Sequence, residues 1–243
     1  MTEIIELKKV SFSALEGKII DEISVDFEIS KTAAIVGPSG GGKSTVLKLA
    51  AGLLVPEQGE VLYKGKNIAH MSRSENLEFR REGAFVFQDS ALWANQDLFQ
   101  ILELPLKIHY PGMKKDERAK RIMQVTAEVG YKKDLRIRPS RLSMGEQKLI
   151  AFARAMLCNP NLLYLDEWTE SLDETAGHRL IALVKKKKNE GATIIFVSHD
   201  MRIIRGIADY VYVIIDGKLA AKVTKDQINN DTQLEDLLNV ETI

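Results

Sequence analysis

The sequence predicts an α/β fold with a mostly parallel core sheet, an N-terminal antiparallel β region and a helical block within the chain. Three patterns indicate this fold. Apolar and polar residues alternate over residues 3–29, as they do in half-buried strands. Residues from about 90 to about 150 show a helical pattern. Short apolar strands alternate with helices on both sides of that block, which is typical of parallel strands covered by helices.

In the first third of the chain, each element follows from a local pattern. Ile5, Leu7 and Val10 alternate with polar residues, and residues 23–27 repeat the alternation, so residues 3–29 are predicted to be β. Residues 32–36 are a short buried strand that runs into a glycine-rich loop. A helix is predicted over residues 43–54, followed by strands over 60–63 and 83–87.

The rest of the chain begins with a helical block. From Leu98 to Gly130 the pattern is helical, with charged residues 114–121 opening one segment and Gly130 ending it. Helices are predicted over 146–157 and 175–190, and buried strands over 162–165 and 193–197. Residues 210–223 are predicted to form a hairpin that turns at Asp216–Gly217. A short helix with a loose end is expected from Lys225 onward.

The composition excludes several classes of protein. Lys and Arg total 34, as do Asp and Glu, and a chain without net charge is a poor candidate for a non-specific nucleic-acid binder. The single cysteine, Cys158, excludes an intrachain disulfide framework and favours a reducing compartment. We expect no signal peptide, and no apolar run approaches the roughly 20 residues of a membrane-spanning helix. Any role in transport therefore requires other subunits.

Residues 37–44 form a phosphate-binding pattern between a predicted strand and a predicted helix. They fit G-x-x-x-x-G-K-[ST] with Gly37, Pro38, Ser39, Gly40, Gly41, Gly42, Lys43 and Ser44. Glycines let successive N–H groups turn inward around phosphate oxygens, and the helix N-terminus adds its own N–H groups. We predict that Lys43 reaches the β and γ phosphates, that Ser44 ligates Mg²⁺ and that Thr45 also binds nucleotide. The alternative is a tight glycine turn without a ligand.

Two adjacent carboxylates follow the apolar strand over residues 162–165. Asp166 and Glu167 stand at its carboxyl end, which is where ligands bind in open α/β sheets. In a chain that also has a phosphate loop, this pair predicts that Asp166 holds Mg²⁺ and that Glu167 polarises the attacking water.

Several further motifs identify a family. Leu142–Gln147 precedes a helix and resembles the signature motif of ABC ATPases; Gln88 after a strand resembles their Q-loop glutamine, Ser171–Asp173 their D-loop and His199 their switch histidine. The ordered set covers nearly the whole chain. The resemblance implies a P-loop NTPase of ABC type, in which residues 1–243 form one ATPase domain. Residues 1–89 and 159–243 would form the RecA-like core with a β subdomain, and about 90–158 a helical subdomain.

The resemblance also implies a dimer that binds and hydrolyses ATP with Mg²⁺. In this family, the phosphate loop of one subunit and the signature motif of the other enclose the same ATP. Ser143 and Gly145 would then contact the γ-phosphate bound by the partner, and Glu146 and Asp173 would lie at the same interface. His199 would contact the γ-phosphate within its own chain, and Gln88 would sense Mg²⁺ and report to the membrane partner.

The sequence departs from the family pattern at three places. Ala14 stands where an aromatic residue usually stacks on adenine, and Phe12 either replaces that residue or packs in the core. Trp168 replaces the proline after the catalytic glutamate, and we expect it to pack against the dimer partner or the membrane subunit. Met144 and Glu146 make the signature non-consensus. Because the phosphate-contacting residues remain, we expect an active ATPase.

Three segments resemble the Mla/Mce-associated ATPases, which energise movement of phospholipids or other hydrophobic molecules. They are Asn67–Ser74, Phe87–Trp93 and Pro105–Leu106. The resemblance implies permease subunits, a second ATPase subunit and a lipid- or substrate-binding component, at the inner face of the cell membrane. One apolar set forms either the groove that receives the permease or the core of the helical block: Ala91, Leu92, Trp93, Leu98 and Phe99.

Other functions remain open at this stage. Importers of amino acids or metals use the same kind of ATPase. ABC ATPases of DNA repair contain long coiled coils and those of translation two ATPase halves, and this chain shows neither. A nucleotide-dependent interaction module without turnover is a third alternative, suggested by Ala14 and the unusual signature.

Overall fold

The computed structural model of this chain describes residues 2–15 and 17–230, which form two sheets and the helices around them. The strands are β1 Glu3–Ala14, β2 Gly17–Glu28, β3 Thr32–Val36, β4 Gln58–Tyr63, β5 Lys66–Asn67, β6 Gly83–Val86, β7 Leu162–Asp166, β8 Thr193–Val197, β9 Tyr210–Ile215 and β10 Lys218–Thr224. The α-helices are α1 Lys43–Ala50, α2 Arg73–Glu82, α3 Leu98–His109, α4 Lys115–Val129, α5 Met144–Met156, α6 Glu174–Asn189, α7 Met201–Ile207 and α8 Lys225–Asn230.

The six-stranded core sheet has the strand order β10-β9-β3-β8-β7-β6. Strands β9, β3, β8, β7 and β6 pair in parallel, and β10 is antiparallel to β9. The predicted hairpin is confirmed: it turns at Asp216 and Gly217, which both adopt the left-handed backbone that a tight turn requires. The second sheet, of order β2-β1-β4-β5, is antiparallel, so the predicted α/β architecture with an N-terminal β region is confirmed.

The centre of the core sheet is buried on both faces, because the mostly apolar strands β3, β7 and β8 are buried at every position. Along β7, Leu163 and Leu165 join the core on the side of the helical block, whereas Leu162 and Tyr164 join the core on the side of the N-terminal sheet. Side chains point to opposite faces at successive strand positions, so a continuous apolar run supplies both cores at once. The sheet is thereby fixed between two packed layers.

The helical block consists of α3, α4 and α5, which pack on one face of the core sheet. Helix α3 begins at a capping box between Asp97 and Gln100, and α4 ends at Gly130 in the left-handed conformation (φ 86°), as predicted. Their apolar faces are buried in the same cluster as the sheet residues. Among the described residues, no helix combines the length and apolar character needed to span a bilayer.

Three expectations about elements differ from the structure. Helix α1 ends at Ala50 rather than at residue 54, because Gly52 (φ 61°) starts a turn there. Helices α2 and α7 were not predicted. The start of α2 is a capping box between Ser72 and Glu75. Helix α8 begins at Lys225 as expected, and the loose end predicted after it lies outside the described residues.

The position of Trp168 contradicts the expectation that this residue packs against another subunit. Its side chain is fully buried and lies 6.0 Å, centroid to centroid, from the ring of Phe152 in α5. It therefore packs inside its own chain and does not lie on an outer face that could meet the dimer partner or the membrane subunit. The large ring fills the space between the end of β7 and the helix that begins with the signature motif.

Candidate nucleotide-binding site

The predicted core residues of the site meet at one edge of the core sheet. The glycine-rich loop follows β3, and Gln88 follows β6. Asp166 ends β7, Glu167 comes directly after it, and His199 follows β8. These four strands are neighbours and run in parallel, so their carboxyl ends lie together. The fold therefore brings together residues that are far apart in the sequence.

The loop over residues 37–42 passes close to its neighbours at a position that only glycine can occupy. At Gly37 (φ 143°) a Cβ atom would lie only 1.9 Å from the Ile214 carbonyl oxygen, so the loop passes directly over β9. Lys43 donates to the carbonyl oxygens of Gly37 (2.8 Å) and Pro38 (2.7 Å), which holds its ammonium over the loop. Gly42 has no side chain to cap α1, so the N–H groups of the first turn can face a phosphate.

Ser44 and Asp166 join the loop to the acidic edge of β7. The Ser44 hydroxyl donates to Asp166 Oδ1 at 2.7 Å. Asp166 is buried, and burial raises the pKa of its carboxyl, although the Ser44 hydrogen bond acts in the opposite direction. A hydroxyl beside a carboxylate supplies the oxygen ligands that Mg²⁺ prefers, so the residues present fit the predicted ion.

Glu167 stands next to His199 above the ends of β7 and β8. Glu167 Oε2 lies 3.3 Å from His199 Nδ1, and the Glu167 backbone is in the left-handed region (φ 39°), where a non-glycine residue is strained. Burial raises the pKa of the Glu167 carboxyl, and the neighbouring His199 partly offsets that increase. A carboxylate with a raised pKa is suited to accept a proton from water.

Glu170 belongs to this cluster, although the sequence analysis did not single it out. Its Oε2 accepts a hydrogen bond from the Gln88 amide at 3.1 Å. A carboxylate oxygen of Glu170 also lies within 4.8 Å of a carboxylate oxygen of Glu167 and a ring nitrogen of His199, so the three side chains could hold a metal ion together. The position of Glu170 between the acidic pair and the D-loop could have indicated its role in the sequence. Its side chain reaches the site only because the chain turns after β7.

A cavity of about 860 Å³ opens over the loop and the acidic edge. Its lining is formed by Ala14, Leu15, Gly17, Lys18, Ile19, Ser39, Gly40, Gly41, Gly42, Lys43, Ser44, Thr45, Gln88, Glu167, Glu170, Val197 and His199. The volume suits a nucleotide-sized ligand. Ala14 lies at its rim beside the exposed Leu15, while Phe12 packs against the core under the N-terminal sheet. Phe12 is therefore a core residue and does not replace the missing aromatic ring.

The signature residues lie at the start of α5 and are not among the described residues that line this cavity. Ser143 caps the helix by accepting from the Glu146 N–H (3.2 Å), and the Glu146 carboxylate accepts in return from the Ser143 N–H (3.1 Å). Glu146 also pairs with Lys133 at 2.6 Å. The non-consensus glutamate thus has a capping role within its own chain.

The signature and the D-loop are in close contact. A Cβ atom on Gly145 would lie 2.8 Å from the Ser171 carbonyl oxygen, so only glycine permits this approach. Asp173 caps α6 by accepting from the Ala176 N–H at 2.8 Å. The two motifs therefore lie against each other, and Met144 beside them is 71% exposed.

The apolar residues proposed for the permease groove divide into three groups by their burial. Leu98 is buried in the core of the helical block, so the core interpretation holds for it. Ala91 and Trp93 are exposed, and Leu92 and Phe99 are half-buried against the core. The centroid of the Trp93 ring lies 5.6 Å from the Arg154 guanidinium, a cation–π contact.

Residues 20–170 match the profile of the family described as ABC transporter. The chain belongs to the ABC transporter family. A curated relative is the intermembrane phospholipid transport system ATP-binding protein MlaF of Haemophilus influenzae, 34% identical over 93% of this chain and 85% of MlaF. The methionine import ATP-binding protein MetN of Clostridium acetobutylicum is 32% identical over 88% of this chain and 67% of MetN.

A solved structure gives the same picture. The dimeric ATP-binding cassette MJ0796, in a post-hydrolysis state bound to ADP and Pi, superposes with a TM-score of 0.84 at 28% identity over 91% of this chain and 98% of MJ0796. This ABC transporter chain is therefore an ATPase subunit with ATP and Mg²⁺ as its cofactors. ATPase domains of this family dimerise and act with membrane permease components.

Proposed function

We propose that this ABC transporter ATPase works as a homodimer that powers a permease moving phospholipid or another hydrophobic molecule. The observation that carries the lipid substrate is the likeness to MlaF over 93% of the chain, together with the segments 67–74, 87–93 and 105–106. The subunit would lie at the cytoplasmic face of the membrane, with a lipid- or substrate-binding component completing the transporter.

Binding falls to the loop over residues 37–45 and the helix α1. Their N–H groups and the Lys43 ammonium would hold the β and γ phosphates, since residues 39–45 line the cavity. Ser44, Asp166 and Gln88 would hold Mg²⁺, which neutralises charge on the phosphates when bound. The signature residues Ser143, Gly145 and Glu146, together with Asp173, would face the nucleotide held by the partner.

Hydrolysis falls to Glu167 and His199. The Glu167 carboxylate would accept a proton from the attacking water, and its raised pKa favours that role. The exposed imidazole of His199, in contact with Glu167, would turn toward the γ-phosphate oxygens. This division of labour requires positioning and charge stabilisation rather than a covalent intermediate.

The catalytic roles are tested by Glu167→Gln. This variant keeps the size of the side chain but cannot accept the proton, so turnover should fall by about 100-fold or more while ATP binding persists. Size-exclusion chromatography with ATP and Mg²⁺ should show a trapped dimer. A Glu167→Gln variant that hydrolyses ATP at the wild-type rate would refute the assignment of the base.

The second candidate function is import of an amino acid, favoured by the likeness to MetN over 88% of the chain. Purification of the ATPase with its permease from solubilised membranes separates the two. Mass spectrometry of the bound material should detect phospholipid, and reconstituted ATPase activity should respond to phospholipid but not to methionine. Stimulation by methionine through an associated binding protein would instead establish the importer.

A further inference from the structure

Helix α5 carries a buried lysine that has no role in the site described so far. Lys148 is only 2% exposed, and its ammonium donates to three backbone carbonyl oxygens: those of Phe87 (3.4 Å), Gln88 and Glu167 (3.3 Å). An ammonium group has three N–H donors and no acceptor, so three converging carbonyls satisfy it. Because all three contacts are made with backbone atoms, Lys148 fixes the course of the main chain at these residues rather than the position of one side chain.

The three carbonyls belong to the two segments that carry Gln88 and Glu167. Lys148 lies on α5, which is capped by the signature residue Ser143 and contains the signature residue Gly145 in its first turn. One side chain thereby links the signature helix, the Q-loop and the strained backbone of the predicted base. A shift of α5 must either carry these segments with it or break the contacts.

Lys148 is buried beside several carboxylates. Burial lowers the pKa of its ammonium, and the nearby carboxylates of Asp89, Asp166, Glu167 and Glu170 oppose that shift. Hydrogen bonds to a charged donor are about twice as strong as neutral ones, and a buried cation without partners would be costly. The carboxylates therefore offset part of the cost of burying the ammonium, and the ammonium fixes the three backbone carbonyls to which it donates.

A second cation of α5, Arg154, contacts the residues that follow Gln88. Arg154 donates to the carbonyl oxygens of Ala91 (2.7 Å) and Ser90 (3.1 Å), two residues with positive φ. Arg154 has no contact with Glu167 among those described. The two cations thus hold different parts of residues 87–93. Lys148 links Phe87 and Gln88 to the acidic edge, and Arg154 holds Ser90 and Ala91, which lead to Trp93.

We propose that Lys148 is a positioning residue that couples the signature helix to hydrolysis by setting the places of Gln88 and Glu167. The proposal rests on the hydrolytic roles proposed for these two residues. It assigns to Lys148 no contact with nucleotide. When the signature residues of α5 bind the nucleotide of the partner, α5 would shift. Lys148 would then transmit the shift of α5 to Glu167 and Gln88 of its own site.

The test is Lys148→Met, which keeps the length and apolar stem but removes the three donors. Misplacement by about 1 Å can cost about 100-fold in rate, so we expect kcat to fall about 10- to 100-fold with KM for ATP within about twofold. Lys148→Arg, which retains donors, should recover part of kcat. In the Glu167→Gln background, Lys148→Met should still form the ATP-dependent dimer.

The matched control is Lys188→Met. Lys188 also bonds a carbonyl, that of Ile207 (2.6 Å), together with Asp209 Oδ1 (2.7 Å), but it lies at the end of α6 and contacts no site residue described here. It should leave kcat unchanged, even though it removes a comparable set of hydrogen bonds. Thermal unfolding of both variants shows whether their losses of stability are comparable.

Two results would overturn the coupling role. One is a wild-type kcat for Lys148→Met, and the other is a parallel loss of ATP binding and dimerisation, which indicates a general structural role. Failure of the Glu167→Gln variant alone to form the ATP-dependent dimer would instead count against the proposed function. The two ideas therefore fail by different measurements.

Discussion

At the scale of single residues, the buried carboxyl groups at the end of β7 lower the stability of the folded chain, although they suit the proposed hydrolysis. The Glu167 carboxyl is buried, and burial raises its pKa above the usual 4.5. A carboxyl whose folded pKa exceeds its unfolded pKa destabilises the fold as the pH rises through that interval, and the full cost remains at neutral pH. The same reasoning applies to Asp166, whose pKa is also raised by burial.

Glu167→Gln should therefore raise the melting temperature of the nucleotide-free protein at neutral pH. The amide removes the cost of burying a charge while keeping the shape of the side chain. The increase should shrink as the pH falls toward 4.5, where the wild-type carboxyl becomes protonated. Thermal unfolding across this pH range checks the prediction, and an unchanged or lower melting temperature at neutral pH would contradict it.

Glu170 gives a second prediction at this scale. Its negative charge contributes to the raised pKa of both Glu167 and Asp166. Since the base must be ionised, ATPase activity should fall as the pH drops through the pKa of Glu167. Glu170→Gln removes a like charge and lowers that pKa, so the acidic limb of the kcat–pH profile should move to lower pH. Movement to higher pH would show that another group controls the limb.

At the scale of elements, Trp168 joins the end of β7 to the signature helix. The ring is fully buried against Phe152, so Trp168→Ala should leave a large cavity and cost about 3–5 kcal/mol of unfolding free energy. Trp168→Phe should cost much less, since the indole N–H has no hydrogen-bond partner among the described residues to lose. Urea denaturation of the two variants measures the difference; equal losses would mean that the ring is not packed as described.

The strands and helices also show which parts of the fold could be predicted from sequence patterns. Core strands were predictable because each is a short apolar run, and α5 and α6 because their apolar periodicity is regular. Helix α2 was missed although Ser72 and Glu75 form an S-x-x-E capping signal, because Phe79 is its one buried residue and so leaves little periodicity to detect. Trp168 was misplaced because its neighbours in space come from α5, a separate segment of the chain.

The same limit explains which site residues were found. Lys43, Asp166 and His199 belong to local patterns at strand ends, so their positions could be predicted without coordinates. Lys148 and Glu170 belong to no such pattern: their contacts with Gln88 span 60 and 82 positions of the chain. Only the packing of α5 and the turn after β7 against the core sheet brings them to the site.

At the scale of the whole molecule, the signature residues lie outside the cavity of their own chain, which predicts complementation between two defective chains. Lys43→Ala disables the phosphate loop, and Ser143→Arg blocks the signature at a cap worth about 0.5–2 kcal/mol. Each variant alone should be inactive, because both sites of its homodimer contain a defect. In an equal mixture, half of the dimers are mixed and each has one complete site.

The mixture should therefore recover ATPase activity up to about a quarter of the wild-type value per chain, provided that one complete site can turn over. Lys43→Ala mixed with a Lys43→Ala/Ser143→Arg double variant is the control, since no pairing of those chains yields a complete site. Recovery in the first mixture alone requires that Lys43 of one chain and Ser143 of the other act on the same nucleotide. If each chain held a complete site, mixing would restore nothing, and the shared-site dimer would be wrong.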